Sequence, residues 1–205
     1  CGSGIIEVIA EMYLCGIINQ DGVVDGQLAE RSDRIVPSGR TFNYIVHQGA
    51  VTLQITQNDV RAIQLAKAAL YAGIRLLMQH MGADHVDRIR LAGAFGSHID
   101  VKYAMLLGMI PDCDLSQVSS AGNAAGTGAR IALLDNTSRT KIEELVRKVE
   151  KIETAIEPRF QEHFVQAMGI PHSTAEYVHL RKAVDLPARK VAQPRANARG
   201  RRRTG

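Results

Sequence analysis

Twice between residues 88 and 134, a short run with strand character ends in glycine and passes into a helical pattern. The first run, Arg88-Ile89-Arg90-Leu91-Ala92, leads into Gly93-Ala94-Phe95-Gly96, and a helix is predicted over residues 101–107, ended by Gly108 and Pro111. The second, Gln117-Val118-Ser119-Ser120, leads into Ala121-Gly122-Asn123, and a helix is predicted over 125–134, opened by Gly122, Gly126 and Gly128. Strand, glycine turn and helix in repetition specify an α/β lobe with a parallel portion, because a helical crossover returns the chain to the same sheet edge. In open α/β sheets, ligands collect beyond the carboxyl ends of the strands. Glycine there lets backbone approach a base or a phosphate, and a helix N-terminus favours an anion. Neither turn is a Walker A loop, since no G-K-[ST] follows, and neither fits the dinucleotide fingerprint G-x-G-x-x-G in its context. By itself such a turn is equally explained by the geometry of a tight bend.

The rest of the chain supplies the layers around these units. Residues 5–14 read as an apolar helix with Ser3 as its N-cap and Gly16 as its stop. Residues 19–40 are rich in Gly, Asp and Ser and read as loop, with a helical turn near residues 26–30. Alternating β-branched runs at 42–46 and 51–55, separated by His47-Gln48-Gly49-Ala50, predict a hairpin. A long helix is expected over 60–81 after the cap candidates Thr56 to Asp59, with Val60, Ile63, Ala66, Ala69, Leu70, Ile74, Leu77, Met78 and Met81 as its apolar positions. Ala66, Ala68, Ala69, Ala72 and Gly73 would let it approach a sheet or helix closely. Beyond Asn136 come an amphipathic helix over 140–151, striped by Ile142, Leu145, Val146 and Val149, and a second over 158–168. The expected organisation is residues 1–135 as one lobe, 136–172 as a helical extension of it, and 173–205 as a basic, flexible tail.

Composition limits the alternatives. Aromatic residues are 4% of 205 with no Trp, so the core must be aliphatic, which suits helices on a sheet better than a β-sandwich. The last 25 residues carry nine basic residues and one acid, leaving the first 180 net −4, so the overall +4 describes the tail and not the folded body. The basic run over 195–203 lacks interleaved aromatics and a recognition fold, so nucleic acid is not the expected partner. No apolar run reaches the roughly 18 residues of a membrane span. Cys1, Cys15 and Cys113 are too widely spaced for a zinc or iron–sulfur site and read as buried or half-buried free thiols in the cytoplasm. Because the chain opens on Cys1-Gly2-Ser3-Gly4 without Met, it reads as a piece of a longer protein.

Other polar residues have plain readings beside functional ones. Asp59 and Asp100 stand at helix starts and read as caps. His80, His85 and His98 fall close together, but no pair has i,i+4 spacing, so they read as surface histidines and not as a metal site. Lys67 reads as an exposed, solubilising residue in preference to a nucleotide contact. Ser97 has two equal readings, a ribose contact or a bond within the next helix.

Several motifs in fixed order add a resemblance. Gln57-Asn58-Asp59-Val60-Arg61, Gln64-Leu65-Ala66-Lys67-Ala68-Ala69, Leu91-Ala92-Gly93-Ala94-Phe95-Gly96 and Gly122-Asn123-Ala124-Ala125-Gly126-Thr127-Gly128-Ala129, with the opening Cys1-Gly2-Ser3-Gly4-Ile5-Ile6, resemble the C-terminal actin/hexokinase-like (ASKHA) domain of the reductive activators of corrinoid proteins. The likeness runs from residue 1 to about 170. It implies an RNase H-like lobe with a mixed sheet flanked by helices, lacking its upstream lobe. It also implies an upstream iron–sulfur module of the [2Fe–2S] kind, and use of ATP with Mg2+ to return a corrinoid protein from Co(II) to Co(I). The partner implied is a corrinoid protein or methyltransferase; a homodimer is left open. By position, Gly93, Ala94, Phe95 and Gly96 match the adenosine-contacting turn, with Ala94 where many relatives have a second glycine. Gly122, Asn123 and Gly126 complete the candidate cofactor-binding set. The acidic, Gly/Thr-rich phosphate loops of that fold are not in these residues, so Mg2+ handling belongs upstream and no catalytic residue is assigned. A small-molecule kinase of the same fold, or a lobe that only docks a partner, are the alternatives.

Overall fold

The computed structural model describes residues 2–188; Cys1 and the basic run over 195–203 lie outside the described residues. Helix α1 (Gly2–Leu14) buries Ile6, Ile9, Ala10, Met12 and Tyr13. It begins one residue before Ser3, which therefore lies inside the first turn and does not cap it. Gly16 ends the segment with φ +72, a conformation that only glycine adopts without strain.

The stretch read as loop holds the expected helical turn, a 3-10 turn at Gly26–Glu30 capped by the Asp25 carboxylate, and an unexpected strand β1 (Ile35–Ser38). β1 pairs antiparallel with β2 (Thr41–His47), which pairs with β3 (Leu53–Ile55) across a bulge between Ile45 and His47. Pro37 hides β1 from a sequence reading, yet an edge strand tolerates proline because one side of its backbone needs no ladder partner.

Helix α2 (Gln57–His80) starts with a reciprocal cap: Thr56 Oγ1 accepts from the Asp59 amide at 3.1 Å, and Asp59 Oδ2 accepts from the Thr56 amide at 2.8 Å. Its core face corrects the sequence reading. Val60, Gln64, Lys67, Ala68, Tyr71, Ala72, Leu76 and Met78 are buried, while Leu70, Leu77 and Met81 are exposed. The predicted stripe followed hydrophobicity alone. The inward face instead carries two polar side chains that bind the backbone of segments far away in sequence.

Lys67 is 2% exposed, not a solubilising surface residue. Its Nζ donates to the carbonyl oxygens of Gly169 and, at 2.8 Å, of Pro171. One turn earlier, Gln64 Nε2 donates to Asp21 O at 3.0 Å and Met168 O at 2.9 Å. Two loops are thereby fastened to one helix face. Buried donors of this kind are tolerated when hydrogen-bonded, as Lys67 Nζ and Gln64 Nε2 are, while Gln64 Oε1 has no partner among the described residues.

The two glycine units form β4 (Ile89–Ala92), α3 (Ala94–His98), α4 (Val101–Leu106), β5 (Val118–Gly122) and α5 (Ala124–Leu134). β4 and β5 are parallel, with Ile89 opposite Val118 and Leu91 opposite Ser120. The α/β class with helices flanking the strands agrees with the sequence reading. Antiparallel and parallel strands lie in two separate sheets among the described residues. The turn read over residues 93–96 is shorter than expected, since Ala94, Phe95 and Gly96 already belong to α3.

The amphipathic helix expected over 140–151 is α6 (Asn136–Val146), joined to α5 through Asp135, whose carboxylate accepts from the Thr137 amide at 3.0 Å. Neither α5 nor α6 buries a residue, and Leu133, Leu134, Leu145 and Val146 are exposed. Helix α7 (Phe160–Gln166) packs on α2. Part of the expected tail is folded: in α8 (Val178–Ala183), Leu180 is fully buried, as is Tyr177 just before it. The Asp112 carboxylate holds the start of α8, accepting from the amides of His179 at 2.8 Å and Leu180 at 3.0 Å. The packed body thus runs past residue 173, the point at which sequence composition placed the tail.

Candidate nucleotide-binding site

The parallel register brings the two glycine turns side by side. Ala92 stands opposite Gly122, and the Gly93 amide donates to Gly122 O at 2.8 Å. A second path closes the ring. The Gly122 amide donates to Ser120 Oγ at 3.1 Å, the Ser120 hydroxyl to Ser97 Oγ at 3.3 Å, and the Ser97 hydroxyl to Gly93 O at 3.1 Å. Two turns about thirty residues apart are locked together by their own backbone and two hydroxyls. Ser120 was not singled out from the sequence. The signal for it was a small polar residue just before the end of a strand, too common to stand out.

The four candidate glycines divide into two kinds. Gly93 has φ +99 and Gly122 φ +61, and a Cβ built at either would meet nothing within 4 Å. Their backbones face open space, where a flat ligand can lie on them. Gly96 and Gly126 are glycines for packing. A Cβ at Gly96 would come within 2.9 Å of Leu91 Cβ and 3.1 Å of its carbonyl carbon, and one at Gly126 within 2.6 Å of Asn123 Nδ2. Asn123 caps α5 by accepting from the Gly126 amide at 2.9 Å. Gly126 therefore makes room for the cap that opens the helix. Ala94 is the exposed first residue of α3, and Phe95 follows it in the helix.

The remaining candidates resolve separately. Asp100 caps α4, its carboxylate accepting from the Lys102 amide at 2.8 Å. His80 lies 3.6 Å from Glu157 and His85 3.5 Å from Asp87. Among the described residues no group of three His, Cys, Asp or Glu side chains is placed to hold a metal ion. Cys15 is exposed, contrary to expectation, and Cys113 is buried with its thiol 3.5 Å from Asp87 O. Burial, then the Asp114 and Asp112 carboxylates, push that thiol's pKa up. No described helix is long and apolar enough to cross a membrane.

A sequence model of the family described as "C-terminal domain of RACo the ASKHA domain" matches residues 1–181. The corrinoid activation enzyme RamQ of Eubacterium limosum is 35% identical, over 80% of this chain and 30% of its own length. A solved structure titled as a reductive activator for corrinoid, iron–sulfur protein superposes with a TM-score of 0.75 at 31% identity, over 90% of this chain and 30% of that one. The chain thus spans about a third of the length of these relatives. With most of its residues covered by the family pattern, the chain belongs to the family of the C-terminal ASKHA domain of corrinoid activators.

Proposed function

We propose that this chain is the nucleotide-binding part of an ATP-dependent activator that returns a corrinoid protein from Co(II) to Co(I). The observation that carries the reading is the hydrogen-bonded pair Gly93–Gly122, held at the carboxyl ends of two parallel strands with both backbones facing open space. A purine placed there meets main chain without a Cβ in the way, and the ring through Ser97 and Ser120 keeps that surface fixed before the ligand arrives. Gly93 and Ala94 would lie against the adenosine. The N-terminus of α5, with its glycines, would face the nucleotide from the neighbouring turn. Gly96 and Gly126 support this surface by letting α3 and the α5 cap pack.

In this reading ATP is the ligand, and the Mg2+ and phosphate ligands come from the preceding part of the ASKHA domain. The electron comes from a reduced iron–sulfur centre carried upstream. One electron passes to Co(II) to give Co(I), while ATP binding or hydrolysis favours the closed arrangement in which that unfavourable transfer proceeds. The partner is a corrinoid protein serving a methyltransferase, and the compartment is the cytoplasm. The exposed apolar side chains of α5 and α6 support a lobe that packs against further protein.

The test is reduction of a cob(II)alamin protein by the intact activator, followed at the corrinoid absorption bands. Co(I) should accumulate only when ATP and a reductant are both present, and Gly93→Val should abolish that ATP-driven accumulation. ATP-independent reduction, or transfer of phosphate from ATP to a small molecule, would overturn the reading.

A further inference from the structure

A polar cleft of about 670 Å3 lies between α2, α7 and the segment leading into α8, and no residue of the two glycine turns lines it. Its volume is in the range of small-molecule sites. The charges in it are unevenly placed. Asp84 and Glu176 are exposed to solvent at its rim. Asp112 is engaged by two amides of α8, and Glu162 lies 3.6 Å from Arg159. Deeper in, the lining groups are Tyr71, Met78, Gln79, His163 and His172 with one strong cation, Arg75.

Arg75 is half-buried, and among the described residues no carboxylate lies within ion-pair distance of it; its one hydrogen-bond contact is a weak one, Nη1 to Met78 Sδ at 3.9 Å. A guanidinium withdrawn from water is ordinarily paired with a carboxylate or phosphate, which its fork of donors fits in bidentate fashion. The neighbours do not supply that negative charge. His163 Nε2 is 3.1 Å from Gln79 Oε1. Burial, then Arg159 and Arg75, lower its pKa, so it is neutral at ordinary pH and adds no competing positive charge. The Tyr71 hydroxyl keeps its proton, its pKa raised chiefly by burial. The cleft therefore has a neutral polar floor, one unneutralised fork of donors and solvated acids at its mouth.

We propose that this cleft is a second ligand site, in which Arg75 receives the carboxylate or phosphate group of a small anionic molecule. Gln79 stands beside Arg75 along the same helix, and its Nε2 offers a further donor, while the Tyr71 hydroxyl is engaged with Tyr177. The rim acids favour a ligand whose anionic end enters first and whose remainder stays neutral or cationic toward solvent.

Calorimetric titration of the full-length protein, with the nucleotide site saturated by ADP, separates this site from the glycine turns. Succinate and inorganic phosphate serve as the two anion probes, and glycine betaine as a carboxylate with a cationic end. Saturable heat at millimolar concentration is expected from at least one probe. It should weaken roughly tenfold to a hundredfold in Arg75→Gln and be partly kept in Arg75→Lys. A thermal melt of each variant shows that both are folded. Heat from phosphate alone would assign a phosphate ligand, and heat from the carboxylates alone a carboxylate. No saturable heat with any probe, or heat unchanged in a folded Arg75→Gln, would overturn the proposal; binding only by an acidic partner protein would overturn the small-molecule assignment.

Discussion

Gly93 donates its amide to the carbonyl of Gly122 at 2.8 Å, and Gly122 answers through Ser120 and Ser97 to the carbonyl of Gly93. The bonds turn two strand ends into one surface. In the reading proposed above a nucleotide rests on that surface, so its rigidity and its lack of side chains can be tested separately.

Replacing Gly93 tests the lack of a side chain. At φ +99 any L-residue is strained, which costs about 1–2 kcal/mol, but no neighbour stands within 4 Å of the new Cβ. Gly93→Ala should therefore lower the melting temperature modestly while weakening nucleotide binding in the full-length protein by more than that strain accounts for. Equal affinity by calorimetry in wild type and Gly93→Ala would remove Gly93 from the site.

The two hydroxyls test rigidity. Ser97→Ala and Ser120→Ala each break the same path, so their effects on stability should not add. A double-mutant cycle by denaturant titration should give a coupling of about 0.5–1 kcal/mol. Additive losses would mean that the Ser97–Ser120 contact at 3.3 Å carries nothing.

Gly126 and Asn123 form a dependent pair. Gly126→Ala pushes a methyl against Asn123 Nδ2 and should displace the cap, costing about 1 kcal/mol, much as Asn123→Ala does. The double variant should be little worse than either single one. If chemical denaturation finds Gly126→Ala neutral, the cap is not what requires glycine there.

Lys67 gives a pH signature. Burial draws its pKa down to about 7 from 10.5. Between those values the unfolded chain binds a proton that the folded chain does not, so this group's contribution to stability rises with pH from about 7 to 10.5 and is lost as pH falls back toward 7. Lys67→Met removes that slope and leaves the carbonyls of Gly169 and Pro171 without their donor, at about 1–3 kcal/mol for each buried acceptor. Subtracting variant from wild-type stability across pH 7 to 10 should reveal the slope. A flat difference would show that the carbonyls hold the ammonium charged throughout.

Much of the geometry of the candidate site was legible because it is local. A glycine that follows a strand and opens a helix has few conformations available, so Gly93 and Gly122 could be placed at strand ends from spacing, as could the caps Asp59 and Asp100. The division of the four glycines was not legible. Gly96 and Gly126 lie inside helices without the positive φ of Gly93 and Gly122, and what requires glycine there is what lies across from them, Leu91 and the Asn123 side chain.

By itself the sequence determined the order of most elements, with β1, α3 and α8 the exceptions, the parallel pairing of the two glycine units and the family pattern, since each rests on residues near one another along the chain. Tertiary structure alone decided which face of α2 turns inward, that Lys67 and Gln64 fasten two distant loops, that residues 177–183 belong to the body, and that among the described residues Arg75 stands without a counter-charge. The physical reason is the same in each case. Helical periodicity says which residues share a face, but the buried face is chosen by the partners it meets, and here those partners are backbone carbonyls contributed by segments about forty to a hundred residues away.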